Sequence, residues 1–519
     1  MLDEAHDLVR ADVRVAGGRI ERIAPHLDPA EDDLDASGFT LSPGFIDIHC
    51  HSGFSSLLYP RAESKVLAGV TTDVSGNCGA SPFPLVGEFL DRRRDEWEPR
   101  GLTIDWSSPA EYFARADAAP SSINRAMLLG HGTLRAAAVG YADRPATREQ
   151  RALMRDLLAD ALEVGVFGLS SGLLYPPGCW ADVEELTDLA AACAEGGGLY
   201  ASHIRSEGKG LLEAIEEFLE VIRRSGVRGQ LSHLKAAGRG NWPKARQAID
   251  RLRTARDDGL AVTADRYPYL ASMTDLDAML LPSWAVEGGR EDELARLADP
   301  ATRRRLAEEV RRSHADADAF DHIVVASVGG DASDAIGRSL RGLGQADGSD
   351  PVEAALDLLL AHEARVTATH RSMSEENLRL ILAEPYVAIG SDSGLRHLPD
   401  EHDGPPRGLA HPRAYGTVGR FLGTYVREAG LMDWQEGIRR LTGLPADILG
   451  LADRGRLEEG AWADLVLFDR RTIADRATYH HPWASPAGIR HVFVAGEPVA
   501  LDGRHTGATP GRLLRREDA

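Results

Sequence analysis

Residues 43–52 read PGFIDIHCHS, a short apolar run that ends in two histidines one residue apart. Side chains of a strand alternate between its two faces, so His49 and His51 are expected to point to one side and Cys50 to the other. By itself this pair is a weak signal, because histidines are common both in cores and on surfaces. It indicates a site only if other strands end in the same way.

The run GFIDI is the first of eight short runs rich in Val, Ile and Leu that helical stretches separate. Such runs are typical of parallel strands, which are buried on both faces, and their alternation with helices predicts an α/β fold. Eight strands with crossover helices predict a (β/α)₈ TIM-like barrel over residues 44–454. The strands are predicted to begin near Gly44, Gly69, Ile123, Gly165, Gly198, Arg228, Leu260 and Tyr386.

The segments outside this repeat lie between strands 7 and 8 and at the two ends of the chain. The interval before the last strand is too long for one crossover and contains a charged helical stretch and the strand-like runs HIVVAS and RVTAT. We predict an insertion at about residues 280–350, forming either a lid over the barrel mouth or an extra helical layer. Residues 1–43 and 455–519 carry short strands and Gly-rich turns, which predicts one small β-domain built from both ends.

The composition of the chain limits the classes of binding partner that are expected. The 519-residue chain is 43% hydrophobic and 27% charged, as in ordinary globular proteins, and its formal net charge of -21 argues against binding nucleic acid. No apolar run has the length that spans a bilayer, and the N-terminal stretch MLDEAHDLVR lacks the features of a signal peptide. We therefore expect no membrane partner and a cytoplasmic location. The four cysteines show no CxxC spacing, which excludes a disulfide framework or zinc finger.

Four further strand ends carry residue types that bind metal ions. Their stretches are SGNCG with Cys78, ASHIRSEG with His203, QLSHLKAAG with His233 and IGSDSG with Asp392. Together with the histidine pair of the first strand, these thiolate, imidazole and carboxylate donors suit a borderline cation such as Zn²⁺. Barrel enzymes place their chemistry at the C-terminal ends of their strands. The sequence therefore predicts a metal site at the barrel mouth.

Alternatives to metal binding remain for individual residues. Cys78 would be an inert buried thiol if it stood alone, but the glycines at 76 and 79 predict a tight loop that turns the thiolate inward. His131 also ends a strand, where it could orient a loop by hydrogen bonding, and we leave it outside the ligand set. Packing is the interpretation for the remaining cysteines, Cys50, Cys179 and Cys193.

Asp392 is predicted to act as an acid and base. A carboxylate beside an activated water can take its proton and return it to a leaving nitrogen, while the metal polarises the carbonyl under attack. This combination predicts hydrolysis of an amide or ester bond. The alternative is a structural Asp in a Ser-Asp-Ser turn.

Taken together, the motifs resemble the N-acyl-D-amino-acid deacylases, or D-aminoacylases, of the amidohydrolase superfamily. The resemblance covers nearly the whole chain and is carried by GVTTDVSGNCGASPFP, LLGHGTLRAA, GLSSGLLYPPG, YASHIRSEG, LSHLKAAG, DRYPY, GSDSG, HPRAYGTVGRFLGTYVRE and LTGLPADILGLADRGRLEEGAWADLVLFD. It implies zinc-dependent hydrolysis of a small molecule, an N-acyl-D-amino acid, to a carboxylic acid and a D-amino acid. A cyclic-amide hydrolase is the runner-up, and a non-catalytic scaffold is the third alternative.

The resemblance also divides the metal ligands into two positions. It implies that Cys78, His203 and His233 hold one tight zinc ion. It implies a second, weaker or vacant position formed by His49, His51 and Asp392, with Asp392 as the acid and base. Hydantoinases and many dihydroorotases instead use a carboxylated lysine from strand four, whereas strand four here ends FGLSSGLLY without a lysine.

Substrate contacts are implied by the same resemblance. The Lys235 ammonium would pair with the substrate carboxylate, and Tyr175 and Tyr267 would hydrogen-bond it; the alternatives are a solvated lysine and tyrosines that only pack. The chain departs from the family with HCHSG for HTHSD, SHLK for SHHK and SDSG for SDG, which leaves the substrate range open. The N-terminus begins abruptly for this family, through either a trimmed small domain or an upstream start. Three arginines follow strand eight, and each could contact an acidic side chain of the substrate amino acid or make no such contact: Arg396, Arg407 and Arg413.

Overall fold

The computed structural model describes residues 9–30, 33–314, 318–329, 333–399 and 408–518. Its strands are β1 (Asp12–Ala16), β2 (Arg19–Ala24), β3 (Thr40–Pro43), β4 (Phe45–Asp47), β5 (Val70–Ser75), β6 (Asn124–Met127), β7 (Leu129–Gly130), β8 (Gly168–Gly172), β9 (Leu199–His203), β10 (Arg228–Leu231), β11 (Val262–Arg266), β12 (Ser272–Asp275), β13 (Ile323–Val328), β14 (Val366–His370), β15 (Val387–Ile389), β16 (Leu465–Phe468), β17 (Ile489–Val494), β18 (Glu497–Leu501) and β19 (Arg504–His505).

Helices connect most of these strands. They are α1 (Ser55–Leu58), α2 (Glu63–Val66), α3 (Gly87–Trp97), α4 (Pro109–Asp117), α5 (His131–Ala138), α6 (Arg148–Glu163), α7 (Val183–Glu195), α8 (Leu211–Ser225), α9 (Lys244–Asp257), α10 (Leu276–Leu280), α11 (Arg290–Ala298), α12 (Pro300–Ser313), α13 (Leu340–Asp347), α14 (Pro351–Ala361), α15 (Glu375–Leu382), α16 (Arg413–Arg420), α17 (Trp434–Leu441) and α18 (Gly443–Leu449). A π-helix, Phe421–Glu428, continues α16. In the parts of the chain that the structure describes, no helix combines the length and the apolar character that a membrane crossing requires.

Each of the eight predicted strand positions holds a strand of a parallel sheet. One sheet has the order β4-β5-β6, and a second has the order β15-β11-β10-β9-β8-β7. Only Leu128 separates β6 from β7, and its amide donates to the carbonyl of Ser75 at 2.8 Å. At the opposite edges, a parallel bridge pairs Cys50 with Ser393. The prediction of an α/β fold with a parallel sheet is confirmed.

The crossover helices cover this sheet with one apolar stripe each. In α8 the residues at 211, 215, 218 and 222 are buried, which is the i, i+4, i+7 and i+11 spacing of one helical face. The helix ends at Gly226, which has the left-handed φ of 71° that favours glycine, and two arginines occupy its last turn. Both helices predicted from apolar periodicity, LLEAIEEFLEVIRRS and ELTDLAAACAE, are found, as α8 and within α7.

The segment between β11 and β15 forms a unit with its own hydrophobic cluster. The predicted strand-like runs become β13 and β14, which with β12 make an antiparallel sheet of order β12-β14-β13. Helices α10 to α14 contribute buried residues from Leu276 to Leu359, and the cluster ends at Ala368. The unit is therefore wider than the predicted range 280–350. The sequence did not reveal β12, because it follows β11 after only five residues.

Strands from both ends of the chain form one antiparallel sheet of order β19-β18-β17-β16-β3. The hairpin β1–β2 joins it through a bridge between Arg19 and Trp462. The last residues differ from the prediction, because they leave this sheet and run beneath the parallel strands. There Leu513 bridges to Arg125 at the start of β6, and the amide of Arg516 donates to the carbonyl of Gly165 at 2.9 Å.

Candidate metal centre

The predicted ligands follow the C-terminal ends of five parallel strands. Because these ends meet at one edge of the sheet, residues far apart in sequence come together in one cleft of about 540 Å³. The histidine pair follows β4, the cysteine follows β5, one histidine ends β9, another follows β10 and the aspartate follows β15; these are His49, His51, Cys78, His203, His233 and Asp392.

Cys78 lies at the centre of this group. Its Sγ atom is 3.3 Å from Nε2 of His49 and 3.4 Å from Nε2 of His233. Burial alone would raise the pKa of the Cys78 thiol, but the neighbouring rings of His49 and His233 hold it well below its ordinary value. On the other side, Oδ1 of Asp392 is 2.9 Å from Nε2 of His51 and 3.5 Å from Nε2 of His49.

His203 completes the group from the side of β9. Its ring centroid is 4.5 Å from that of His233, and its Nε2 is 3.8 Å from Oε1 of Glu207. Both ring nitrogens of His203 are buried without a hydrogen-bond partner among the described residues. A buried polar group without a partner is costly and needs an explanation, which a metal ion bound by this imidazole would provide.

The donors fall into two overlapping sets in which all ligand atoms lie within 4.8 Å of one another. One set is His49, Cys78, His233 and Asp392, and the other is His203, Glu207 and His233. His233 belongs to both sets, and the predicted division, with Cys78, His203 and His233 in one position, stays a prediction. Thiolate, imidazole and carboxylate donors are the ligands that zinc binds, so the residues present fit this metal.

Three of these residues adopt left-handed backbone conformations, which are rare outside glycine. The φ angles are 52° for Cys78, 35° for His233 and 53° for Asp392. Such conformations cost free energy and persist where the surrounding structure enforces them, and they are frequent at functional sites. The tight loop predicted around Cys78 is present, since Gly76 and Gly79 also have positive φ angles.

Asp265 orients His49 from beneath the site. Its carboxylate accepts from Nδ1 of His49 at 3.0 Å, from the backbone amide of His233 at 2.9 Å and from the side-chain amide of Gln230 at 2.9 Å. The Nε2 of His49 is thereby left free to face Cys78 and Asp392. The sequence interpretation quoted DRYPY as a motif but gave its aspartate no role. Its position in β11, one strand beyond His233, was the available signal.

Arg413 is the ion-pair partner of Asp392. Its Nη1 lies 2.8 Å from Oδ2 of Asp392, at the start of α16. Burial opposes ionisation of Asp392, but the Arg413 guanidinium and the hydrogen bond from His51 hold the pKa of this carboxyl well below its usual range. Of the other two arginines noted in the sequence, Arg396 is absent from the cleft lining, and Arg407 lies outside the described residues.

Lys235 and the two predicted tyrosines line the same cleft. The Lys235 ammonium contacts the carboxylate of Glu207 and lies 2.7 Å from Nδ1 of His233, so it already has an anionic partner. Tyr175 accepts a hydrogen bond from Thr274 at 3.1 Å, and the buried hydroxyl of Tyr267 has no partner among the described residues. The sequence interpretation missed Glu207, although it lies in the quoted stretch ASHIRSEG.

The other candidate residues lie apart from the donor group. Cys50 is buried and its Sγ is 3.6 Å from the carbonyl of Asp47, and Cys193 is buried with its Sγ 3.3 Å from the carbonyl of Leu199. His131 starts α5 and its Nε2 is 2.8 Å from a carboxylate oxygen of Glu185. These contacts agree with packing roles for the cysteines and an orienting role for the histidine.

Comparisons with known proteins identify the family of the chain. The model of a family described as the amidohydrolase family matches residues 34–500. The chain belongs to the amidohydrolase family. It is 37% identical to an N-acyl-D-glutamate deacylase and 34% identical to a D-aminoacylase, both from Alcaligenes xylosoxydans xylosoxydans, over 98% of this chain and 93% and 94% of theirs. These relatives show that it is a member of the N-acyl-D-amino-acid deacylase group.

A solved structure is similar along nearly the whole chain. It is the crystal structure of N-acyl-D-glutamate deacylase from Bordetella bronchiseptica complexed with zinc and a phosphonate inhibitor, a mimic of the reaction's tetrahedral intermediate. Its TM-score is 0.81 at 35% identity, covering 98% of this chain and 95% of the other. The similarity therefore extends from the parallel sheet to the sheet built from the chain ends.

Two glycines let the loop that carries Cys78 approach the end of β8 in this amidohydrolase. A Cβ added at Gly79 would lie 2.6 Å from the amide nitrogen of Gly172, and one added at Gly172 would lie 2.1 Å from the carbonyl oxygen of Cys78. The cysteine loop thus occupies the space next to β8, a strand that carries no lysine.

The three departures from the family motifs also have local explanations. Leu234 of SHLK is buried in the hydrophobic core and does not line the cleft. Gly53 of HCHSG packs against Pro82, which a Cβ at this position would approach to 2.8 Å. In SDSG, Ser393 lies 3.0 Å from the hydroxyl of Ser391, which in turn accepts from the buried Lys65 at 2.6 Å. The three departures therefore affect packing and hydrogen bonds around the site, whereas the donor residues themselves are kept.

Proposed function

We propose that this chain hydrolyses the amide bond of N-acyl-D-amino acids, releasing a carboxylate and a D-amino acid. The observation that carries the proposal is the donor group in which Cys78 lies 3.3 and 3.4 Å from the imidazoles of His49 and His233, beside Asp392. Relatives with 37% and 34% identity are named for deacylation of N-acyl-D-glutamate and as a D-aminoacylase. The donor group thus supports metal-assisted hydrolysis, and the names of these relatives support an N-acyl-D-amino acid as the substrate.

Zinc is the cofactor that the donor set supports best. Cys78, His203 and His233 would hold the tight ion, and His49, His51 and Asp392 a second, weaker position. A zinc ion bound there would supply Lewis-acid polarisation of the scissile carbonyl and lower the pKa of water. His203 supports this assignment, because its buried ring nitrogens have no partner within the described part of the chain.

Asp392 is the proposed acid and base. Its carboxylate would accept a proton from the attacking water and donate it to the amine nitrogen as the amide bond breaks. Arg413 and His51, which contact separate oxygens of this carboxylate, would hold it in one orientation during both transfers.

Cationic and phenolic side chains of the cleft would hold the substrate. Lys235 is proposed to pair with the substrate carboxylate, which requires that the substrate compete with Glu207 for its ammonium. Tyr175 and Tyr267 would donate hydrogen bonds to the same group, and the unpartnered hydroxyl of Tyr267 supports this assignment most directly. Arg413, on the same wall, is a second cation within reach of the substrate.

The proposal also includes the closure of the barrel, the small β-domain and the lid. We infer a closed (β/α)₈ barrel at residues 44–454, because bridges and hydrogen bonds join the two parallel sheets at both pairs of edges. Residues 1–43 and the part of 455–519 that ends with β19 would supply the small β-domain, and the inserted unit with the cluster from Leu276 to Ala368 would act as a lid over the cleft. A cytoplasmic location remains the expectation.

A turnover screen with measured metal content tests the proposal. N-acetyl-D- and N-acetyl-L-amino acids and cyclic ureides are incubated with protein purified without chelator, and we expect hydrolysis of the D-series alone. Asp392→Asn is expected to lower kcat by at least about 100-fold, because a positioned acid and base contributes that much, while the zinc of the tight position stays bound. Hydrolysis of cyclic ureides alone, or full activity of this variant, would contradict the proposal.

A further inference from the structure

Most charged side chains that line the cleft have an ion-pair partner. The arginines of α3 are paired within their own helix, and the cations near the metal site are paired with carboxylates of other segments. The pairs are Arg92 with Glu88, Arg93 with Glu96, Arg205 with Glu217, Lys235 with Glu207 and Arg413 with Asp392. The charges of this part of the cleft are therefore largely balanced.

Three carboxylates of the cleft are not balanced in this way. Asp275 at the end of β12, Asp277 in α10 and Glu293 in α11 line the cleft, and none has an ion-pair partner within 4 Å among the described residues. Within the described part of the chain, Asp277 alone of the three has a local donor, the amide of Ala278 at 2.7 Å. Arg290 lies nearby without coming within that distance of any of the three.

Glu293 is the most informative of these residues. It is only 4% exposed, yet its Oε1 has no hydrogen-bond partner within the described residues. Burial and the charge of Asp277 raise the pKa of Glu293 to about 9, and Arg92 and Arg290 compensate only in part. A buried carboxyl oxygen that faces a cleft without a donor indicates that a ligand supplies the donor.

The cleft connects this carboxylate group to the metal centre. Thr274, one residue before Asp275, hydrogen-bonds the hydroxyl of Tyr175, whose ring centroid is 5.0 Å from that of His203. A molecule held at the metal centre can therefore extend along β12 towards the three carboxylates. Within the described residues, donor sets close enough to hold a metal ion occur only at the metal centre, so an organic cation fits this group better.

We propose that Asp275, Asp277 and Glu293 form a subsite for a positively charged group of the substrate, an ammonium or a guanidinium. The inference rests on the proposed deacylase function and deepens it. A cation would satisfy the free oxygen of Glu293 and reduce the repulsion among the carboxylates, whereas an acidic side chain would increase it. The chain would then differ in specificity from relatives that are named for N-acyl-D-glutamate and N-acyl-D-aspartate.

Two parts of an N-acyl-D-amino acid could carry this charge, the amino-acid side chain or the acyl group. One substrate pair places it on the side chain, N-acetyl-D-lysine against the uncharged N-acetyl-D-norleucine. A second pair places it on the acyl group, N-(6-aminohexanoyl)-D-alanine against N-hexanoyl-D-alanine. N-acetyl-D-alanine, which carries neither extension, reports the basic reaction.

We expect the zinc-loaded wild type to prefer the charged member of one pair by at least about tenfold in kcat/KM. In the double variant Asp275→Asn/Glu293→Gln, the ratio of the two kcat/KM values is expected to fall to near unity. The control Glu291→Gln changes an exposed residue of α11, the helix of Glu293, and should retain the preference. Because the preference is a ratio within one protein, a loss of folded protein affects both substrates equally. Asp275→Asn alone, a change at the cleft surface, is expected to lower the ratio without altering the unfolding temperature.

Equal kcat/KM values within both substrate pairs would overturn the inference, and so would a charge preference that the double variant retains. Hydrolysis of N-acetyl-D-alanine in the same experiment would still uphold the deacylase function. Absence of hydrolysis for every substrate, including N-acetyl-D-alanine, would overturn the proposed function and with it this subsite. A preference on the side-chain pair identifies basic D-amino acids as the substrates. A preference on the acyl pair identifies an aminoacyl group instead.

Discussion

At the scale of single residues, Cys78 is the thiolate donor of the proposed metal centre. A thiolate is a strong zinc ligand, and the lowered pKa of Cys78 shows that its surroundings favour the anion even before a cation binds. Among the residues of the loop between β5 and α3, Cys78 is the member of the donor sets. The strained φ of 52° at Cys78 fits such a specialised position.

Cys78→Ser is therefore expected to lose zinc. A hydroxyl is a much weaker ligand than a thiolate, and we expect the zinc affinity to fall by at least about 100-fold, a loss at the upper end of what changes around metal ligands cause. Metal content after dialysis against a chelator of known affinity measures this. Cys179→Ser is the matched control, because Cys179 is also half-buried and reduced but lies outside the donor sets. Wild-type zinc retention by Cys78→Ser would remove the cysteine from the metal centre.

At the scale of elements, the loop between β5 and α3 can place Cys78 in the cleft because glycines allow the backbone of this loop to approach β8 closely. Gly79 and Gly140 form a matched pair, since their φ angles are 75° and 76°, but only Gly79 has backbone in the way of an added Cβ. Gly79→Ala should displace Cys78 and lower both zinc retention and turnover. Gly140→Ala should cost only the left-handed strain, about 1–2 kcal/mol, with normal zinc content. Calorimetry and metal analysis on both variants separate the two effects, and equal zinc loss in both would refute the close-approach argument.

The elements also show what the sequence could predict. The eight parallel strands were predictable because short runs alternate with helical stretches, and the six candidate ligands because each ends or follows such a run. Contacts between distant positions were not: Asp265 beneath His49, Glu207 beside Lys235 and Arg413 on Asp392 depend on which strand ends meet in space. Lys65 is another example: the carboxylate of Asp47, 2.6 Å from the ammonium of this buried lysine in α2, is a partner that no local pattern indicates. The width of the insertion was missed for the same reason.

At the scale of the whole molecule, the end of the chain closes the side of the parallel sheet opposite the metal centre. Residues 510–516 run along the beginnings of β6 and β8, where Gly511 and Leu514 donate their amides to the carbonyls of Ser121 and Arg125. Leu514 is 4% exposed and packs among inward-facing residues of the strands, such as Ile46 and Leu128. The prediction that assigned this tail to the small β-domain did not foresee this role, since an isolated leucine pair carries no periodic signal.

Leu514→Ala is expected to lower the free energy of unfolding by about 2–5 kcal/mol, because it removes apolar contacts and leaves a cavity among residues that cannot collapse into it. Leu153→Ala in α6 is the control, since Leu153 is 45% exposed and its loss should change stability by no more than about 0.5 kcal/mol. Urea unfolding of both zinc-loaded variants measures the difference. Zinc content per folded chain should remain normal in both, because the tail lies at the strand ends that carry no ligands. A Leu514→Ala variant as stable as the control would show that the tail only lies on the surface, whereas loss of zinc at full stability would place it in contact with the metal centre.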